Sequence, residues 1–217
     1  MFQRRTKTRA VVFVDGNNWY HALRAIRLVD LGRLDYARIS RKLLGPSRLW
    51  TGTRYYVGQV NQAEAPESYA HQRRFLAHLA STDPRISYHL GRLETRVVEN
   101  DAATELLAVL NALTQRIDTR VYKDLVALAK RHQRASIKVE KAVDVMIAVD
   151  MVSMALRNEF DAAYLLSADG DLTPAVHEVR GLGKSVYVAS PRRGAQLAGA
   201  ANSYVRMRAE WFADCWP

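Results

Sequence analysis

Short apolar runs alternate with longer segments of helical periodicity along most of the chain. The β-branched run 11–15 ends in Asp-Gly, and apolar residues at helical spacing follow at 19–28. The same order predicts further strands at 53–60, 86–90, 162–166 and 185–189, an edge strand at 204–207, and further helices at 34–44, 67–79, 141–157 and 172–180. Such alternation predicts an α/β fold of three layers, in which a mostly parallel sheet is flanked by helices.

The alternation stops between residues 97 and 135. Two helical stretches, 102–116 and 121–131, follow each other there without a strand between them. We therefore predict a single domain over residues 1–217 that carries a helical insertion at 97–135. Such an insertion is suited to substrate choice, to a partner surface or to a contact between copies in a homo-oligomer.

Basic residues outnumber acidic ones, with 32 Lys and Arg against 22 Asp and Glu and a formal net charge of +10. This balance favours polyanions, because contacts with phosphates release counterions, so nucleic acid is the leading partner class. Residues 1–9 predict a flexible basic arm. Lys130, Arg131, Arg134 and Lys138 predict a basic surface on the insertion, although both groups are also typical of solvated charge.

The number of cysteines and the length of the apolar stretches indicate the cellular compartment in which the protein is expected. Cys215 is the only cysteine, which excludes an intramolecular disulfide framework and a cysteine zinc site. The longest apolar region, 142–156, is interrupted by Asp144, Asp150 and Ser153, whereas a membrane span needs about 20 nearly uncharged residues. No apolar stretch has the length of a signal peptide. We therefore expect a cytoplasmic protein that does not bind membranes.

Asp15 ends the first predicted strand, in the segment VVFVDGNN. Ligands of open parallel sheets bind outside the carboxyl ends of the strands, so this is a suitable place for a metal ligand. Asn17 or Asn18 could hold the carboxylate or a phosphate by hydrogen bonds. The alternative is an ordinary capped turn, because Asp-Gly and Asn-Asn are common turn formers.

A second acidic segment, LLSADGDLTPAV, follows the predicted strand 162–166. It places Ser167 at the end of the strand, with Asp169 and Asp171 just beyond it, at the same edge of the sheet as the first motif. In the alternative interpretation, Asp171 is only the N-cap of the next helix and Asp169 a turn residue.

Asp144 lies in KAVDVMIAVDMV, a helix that is apolar nearly all round and is therefore predicted to be buried. A buried carboxylate needs a partner, either a cation or Lys141 one turn earlier. Asp150 is expected to pair with an arginine. If Asp15, Asp144, Asp169 and Asp171 converge, unit charges about 4 Å apart repel by about 4 kcal/mol at an effective dielectric near 20. All-oxygen ligands of this kind favour Mg²⁺ or Mn²⁺.

Three motifs carry a resemblance to the NYN domain family of the PIN-like nuclease superfamily. They are FVDGNN at 13–18, KAVDVMIAVDM at 141–151 and LLSADGDLTPAV at 165–176, followed by GLGKSVYV at 181–188. The resemblance covers most of the chain and implies a PIN-like, Rossmann-like fold. It also implies an endonuclease that hydrolyses RNA phosphodiester bonds with Mg²⁺ or Mn²⁺. Ala142 stands where the family usually has glycine, which leaves the following acid in place.

On the matching positions, the resemblance implies that catalysis and metal binding fall to the four aspartates, Asp15, Asp144, Asp169 and Asp171, supported by Asn17 and Ser167. Arg192 and Arg193 follow a predicted strand at the same edge and are expected, with Lys141, to bind RNA phosphates. Among Trp19, Tyr20 and His21, an aromatic ring could stack on an unpaired base, while at least one is expected in the core.

Other interpretations of these motifs are weaker. DGDLT at 169–173 fits the nucleophile loop of haloacid-dehalogenase-type phosphatases, but that loop belongs near the start of its domain. The segment also lacks the 12-residue ligand spacing of an EF-hand. The main alternative is an RNA-binding or scaffolding module that keeps the fold without cleaving RNA.

Overall fold

The computed structural model describes residues 7–113 and 118–217, without the side chains of residues 97 and 135–138. The strands are β1 (Thr8–Asp15), β2 (Arg48–Gln59), β3 (Ile86–Glu99), β4 (Arg134–Lys141), β5 (Ala162–Leu166), β6 (Ser185–Ser190) and β7 (Ser203–Arg206). The α-helices are α1 (Gly16–Ala25), α2 (Tyr36–Leu44), α3 (Pro66–Thr82), α4 (Asp101–Ala112), α5 (Thr119–His132), α6 (Val143–Leu156), α7 (Thr173–Gly181) and α8 (Ala195–Ala200). Short 3₁₀ helices lie at Leu31–Arg33, Gly170–Leu172 and Ala209–Phe212.

The strands form a seven-stranded sheet in the order β4-β3-β2-β1-β5-β6-β7. The pairs β1–β2, β2–β3, β1–β5, β5–β6 and β6–β7 are parallel. The predicted α/β fold with a mostly parallel sheet is therefore confirmed, and β7 is the edge strand expected near residues 204–207. The chain builds outward from β1 to β3 on one side and from β5 to β7 on the other, so the order reverses between β1 and β5.

Side chains of β1 alternate between the two faces of the sheet, as the period of a strand requires. Val12 packs on one face with Trp19 of α1 and Ile39 of α2. Phe13 packs on the other face, in a cluster that contains Ile147 of α6 and apolar residues of α7. The compact unit that comprises residues up to Arg92 and from Lys141 to Pro217 is therefore a three-layer sandwich around this sheet.

Helix α6 was expected to be buried on every side, and the structure shows that it is not. Ile147 and Met151 are fully buried, whereas Val145 and Val149 are 64% and 56% exposed. The apolar sequence predicted burial on every side, but α6 is an outer layer of the sandwich and only one of its faces meets the sheet. The number of apolar residues in a helix does not reveal how many neighbours cover it.

Residues Leu93–Glu140 form a second compact unit, which contains the end of β3, α4, α5 and most of β4. Its bounds lie outside the predicted 97–135, and the strand β4 was not predicted. The assignment of residues 1–217 to one domain stays a prediction. The predicted flexible arm at 1–9 is wrong for its last two residues, since β1 begins at Thr8 and the Arg9 guanidinium lies 2.8 Å from an Asp161 oxygen. Arg4 and Arg5 lie outside the described residues.

None of the helices in the described ranges is both long enough and apolar enough to cross a membrane.

The two faces of α6 lead to a prediction about stability. We expect Ile147→Ala to lower the free energy of unfolding by about 2–5 kcal/mol, because it leaves a cavity in the core. Val149→Ala, on the exposed face of the same helix, should change it by less than about 0.5 kcal/mol. Urea unfolding followed by circular dichroism measures both values. Equal costs at the two positions would contradict the one-sided packing of α6.

Candidate metal centre

The candidate site lies where β1 and β5 end side by side. Val14 pairs with Leu166 in the parallel register, so Asp15 and Ser167 are the next residues of the two strands. This is the point at which the strand order of the sheet reverses, and the two connections leave in opposite directions there. Such reversal points open a crevice that binds ligands in open α/β sheets.

Asp15 is held in a fixed orientation, with its residue only 2% exposed. Its Oδ1 caps α1 by accepting a hydrogen bond of 3.2 Å from the Asn18 backbone N–H. Its Oδ2 accepts a hydrogen bond of 2.8 Å from the Ser167 hydroxyl. The capped-turn interpretation of Asp15 is thus correct as far as it goes, but the same side chain also takes part in the acidic group described below.

The loop after β5 is tied to the start of α1. The Asp169 N–H donates to the Ser167 Oγ at 3.0 Å, and the Ala168 N–H donates to the Asn18 Oδ1 at 3.0 Å. Asn17 is exposed, and the hydrogen bonds described at this turn involve Asn18. The two asparagines are adjacent in sequence, so the pattern alone could not tell which one faces the loop.

Three carboxylates meet at this edge. Asp15, Asp144 and Asp169 each offer an oxygen, and these three oxygens lie within 4.8 Å of one another. Asp144 reaches the group from the first turn of α6, just after Ala142, whose φ of 71° is left-handed. Carboxylate oxygens at this spacing suit a hard divalent cation such as Mg²⁺ or Mn²⁺. The residues present therefore fit a divalent metal.

The electrostatics of the group agree with that fit. Burial, and then the negative charges of Asp169 and Asp171, raise the pKa of Asp144. A nearby cation acts in the opposite direction, because it favours the ionised carboxylate. The ionised cluster is therefore stabilised by a positive charge at its centre.

Asp171 stands apart from the other three predicted aspartates. It is exposed and is not part of the close group found among the described residues, although its charge acts on Asp144. Its N–H donates to the Asp169 Oδ1 at 2.9 Å, so Asp169 caps the 3₁₀ helix Gly170–Leu172. The interpretation of Asp171 as the N-cap of α7 is wrong, because Leu172 holds that position.

Helix α6 is anchored to the sheet by a polar network further along the helix from Asp144. Arg54 Nη2 lies 2.8 Å from the Asp150 Oδ2, and the Tyr56 hydroxyl donates to the same oxygen at 2.7 Å. The expected pairing of Asp150 with an arginine is confirmed. The role of Tyr56 was missed, because nothing in the strand pattern of β2 indicates which hydroxyl faces α6. The network fixes the helix that carries Asp144.

Arg192 and Arg193 are exposed in the loop after β6, at the same edge of the sheet. This loop packs directly on the acidic loop, since a Cβ added at Gly194 would lie 2.1 Å from the Ala168 carbonyl oxygen. Glycine is required there for close approach of two backbones. Lys141 is the last residue of β4 and is half-buried, and its contact with RNA stays a prediction.

The aromatic residues after Asp15 divide between core and surface, as expected. Trp19 is fully buried, whereas Tyr20 is 44% exposed on the helix that begins at the site. The Arg24 guanidinium carbon lies 5.8 Å from the centre of the Tyr20 ring. Tyr20 therefore presents an exposed ring next to a cation on α1.

We expect Asp144→Asn to raise the melting temperature of the metal-free protein at neutral pH. The raised pKa of Asp144 means that ionisation of this group destabilises the folded state, so stability falls as the pH rises through the folded pKa. Asparagine removes the charge and keeps the shape. The gain should vanish as the pH falls below the ordinary carboxyl pKa of about 4, where aspartate is itself protonated.

Thermal unfolding in a chelator at several pH values measures this difference. Asp30→Asn is the matched control, because Asp30 is exposed, lies outside the cluster and has a left-handed φ of 51° that asparagine also adopts. A lower melting temperature for Asp144→Asn than for Asp30→Asn at neutral pH would contradict the repulsion among the carboxylates.

Comparisons with known proteins agree with the fold and identify the family. The chain is similar to a structurally characterised protein of unknown function from Vibrio parahaemolyticus, with a TM-score of 0.56 and 17% sequence identity over 96% of this chain and 98% of that one. No curated protein matches the sequence. The model of the NYN domain matches residues 9–208, nearly the whole chain. The chain therefore belongs to the NYN domain family, whose members are PIN-like and generally nuclease-like.

Proposed function

We propose that this protein is a metal-dependent ribonuclease that hydrolyses RNA phosphodiester bonds internally. The observation that carries the proposal is the meeting of Asp15, Asp144 and Asp169 within 4.8 Å at the reversal point of the sheet. Membership of the NYN family supports it, because that family is generally nuclease-like. The products expected from such a hydrolysis carry 5′-phosphate and 3′-hydroxyl ends.

The three aspartates would hold Mg²⁺ or Mn²⁺, and the identity of the ion is part of the proposal. When bound, such an ion supplies an activated water and offsets the charge that develops on the phosphate in the transition state. Asp15 is the fixed member, because the Ser167 hydroxyl and the first turn of α1 engage both of its oxygens. Asp144 and Asp169 complete the donor set from α6 and the loop after β5. Asp171 adds a further negative charge beside the set and is assigned a catalytic role by the proposal.

RNA is the proposed substrate because of the charge and the surface around the site. The chain carries a net charge of +10, and Arg192 and Arg193 are exposed on the loop that packs against the acidic loop. Phosphates flanking the cut would bind there, and Lys141 is a further proposed phosphate contact. Tyr20 on α1 offers a ring for an unpaired base.

The alternative is an NYN module that binds RNA or a scaffold without cleaving it. The clustered carboxylates count against this alternative. They repel one another and also repel RNA phosphate, so a module that only binds RNA would have no use for them. The two functions differ in one observable, namely whether RNA is cut in the presence of Mn²⁺ or Mg²⁺.

We expect the purified protein to cleave RNA only with a divalent metal, and Asp169→Asn to reduce the cleavage rate by at least about 100-fold. Removal of a group that supports a metal ligand typically costs about 10–100-fold in activity or metal affinity. Removal of a ligand itself should cost at least the upper end of that range. End-labelled single-stranded and structured RNAs, incubated with Mn²⁺, Mg²⁺ or a chelator, measure the rate. Asp30→Asn should cleave like the unaltered protein. Cleavage in the chelator, or full activity of Asp169→Asn, would refute a metal-dependent reaction at this cluster, and binding without cleavage would favour the alternative.

Metal binding itself has a second measurable effect. Mn²⁺ at 100 times its dissociation constant should stabilise the folded protein by about 2.7 kcal/mol, which corresponds to a rise in melting temperature of about 5–11 °C for a protein of this size. Asp169→Asn should lose most of this rise, and Asp30→Asn should keep it. Differential scanning fluorimetry with Mn²⁺ and Mg²⁺ measures the shift. An equal rise in all three proteins would place the bound ion elsewhere.

A further inference from the structure

The second compact unit contains a helical hairpin, formed by α4 and α5, that exposes a row of large apolar side chains. On α4 these are Leu106 and Val109, which are 42% and 49% exposed. On α5 they are Val121, Leu125 and Leu128, which are 51%, 37% and 46% exposed. Several exposed large apolar side chains on two neighbouring helices are typical of an interaction site rather than an ordinary solvent face.

The spacing of these residues places each set on one side of its helix. Leu106 and Val109 are three positions apart, and Val121, Leu125 and Leu128 follow at intervals of four and three. Intervals of three and four produce a single apolar seam along a helix, which is the pattern that packs against other helices. Each helix of the hairpin therefore carries a seam suited to a further helix.

Few apolar side chains are buried in the part of this unit that the structure describes. Among its described residues only Ala103, Leu110 and Ala129 are buried apolar side chains. Ala103 and Leu110 lie three and four positions from Leu106, and Ala129 lies four positions after Leu125, so the buried side chains border the exposed seams. So few buried apolar side chains among these residues supply little stabilisation from a core. The seams are thus a large apolar surface that the described part of the unit leaves exposed.

Charges beside the two seams have opposite signs. Asp101 and Glu105 flank the seam of α4, and α4 has no basic residue. Arg120 and Arg131 flank the seam of α5, and Asp124 is the acidic residue between them. All five are exposed. Because α4 is acidic and α5 is mainly basic, the hairpin is complementary to a copy of itself in which each α4 faces the α5 of the other copy.

We propose that this hairpin is the self-association surface of the protein, and that two copies pack their hairpins into an antiparallel four-helix bundle. A two-fold axis along the hairpin brings the α4 of one copy against the α5 of its partner, which buries both seams and pairs their flanking charges. Nucleic acid is a poorer occupant, because it would pair with the arginines but leave the leucines and valines in water. The proposal uses no residue of the metal centre and does not depend on nuclease activity.

The apolar part of the proposal is tested with the double variant Leu125→Glu/Leu128→Glu of the full chain. Sedimentation velocity and light scattering over a range of protein concentrations measure the dimer dissociation constant. We expect the unaltered protein to dimerise and the double variant to dimerise at least about 100-fold more weakly, as for loss of a central interface anchor. Val29→Glu is the control, because Val29 is 71% exposed and lies outside the hairpin.

Folding of the double variant is checked by its circular dichroism spectrum and by its melting temperature in the absence of metal, neither of which depends on metal binding. An unaltered protein that stays monomeric at every concentration would overturn the proposal. Dimerisation of a folded double variant with the affinity of the unaltered protein would also overturn it.

The charged part is tested by reversing one charge on each helix. Glu105→Lys and Arg131→Glu, each alone, should weaken dimerisation, because each places like charges beside each other across the two-fold axis. An equimolar mixture of the two variants should restore it, since every α4 then faces an α5 of opposite charge in the mixed dimer. A mixture that associates no better than the separate variants would rule out the pairing of α4 with α5.

Discussion

The adjacency of β1 and β5, with both strands running the same way, is the constraint on which the site depends. Asp15 and Ser167 leave neighbouring strands at the same edge, and the hydrogen bond of 2.8 Å between them joins the two halves of the sheet at that point. The loop that carries Asp169 starts from this bond, because its N–H donates to the same serine oxygen. If the two strands were separated by another, the carboxylates would be about 5 Å further apart and could not share a cation.

In this arrangement the carboxylates of the cluster repel one another when no cation is bound. Burial and neighbouring charges raise the pKa of Asp144, so the ionised group weakens the fold that presents it. The fold compensates nearby: Arg54 and Tyr56 both hydrogen-bond Asp150, and this network holds α6 against the sheet while its first turn carries Asp144 into the cluster. An acidic group carried by a firmly anchored helix suits a cation site, because its carboxylates are held in place before an ion binds.

The two compact units differ in where their apolar side chains lie. The unit around β1 has apolar clusters on both faces of its sheet, and its polar chemistry is concentrated at one edge. The described residues of the unit Leu93–Glu140 include few buried apolar side chains, and several large apolar side chains of α4 and α5 are exposed. The first unit thus combines a buried core with an acidic edge, while the second exposes apolar side chains on its two helices. Neither property would follow from the composition of the whole chain, which is that of an ordinary globular protein.

The sequence by itself determined the α/β class, the strands that lead into Asp15 and Ser167, and the three acids that meet at the site. Strand alternation and turn residues act locally, and parallel strands share their carboxyl edge. Only the tertiary structure decided that Asn18 rather than its neighbour ties the loops together, that Asp171 stays outside the close group, and that Gly194 must admit another backbone. Those outcomes depend on which way a side chain points and on what lies across the sheet edge. Neither is encoded in the spacing of residues along the chain, since residues about 150 positions apart meet there.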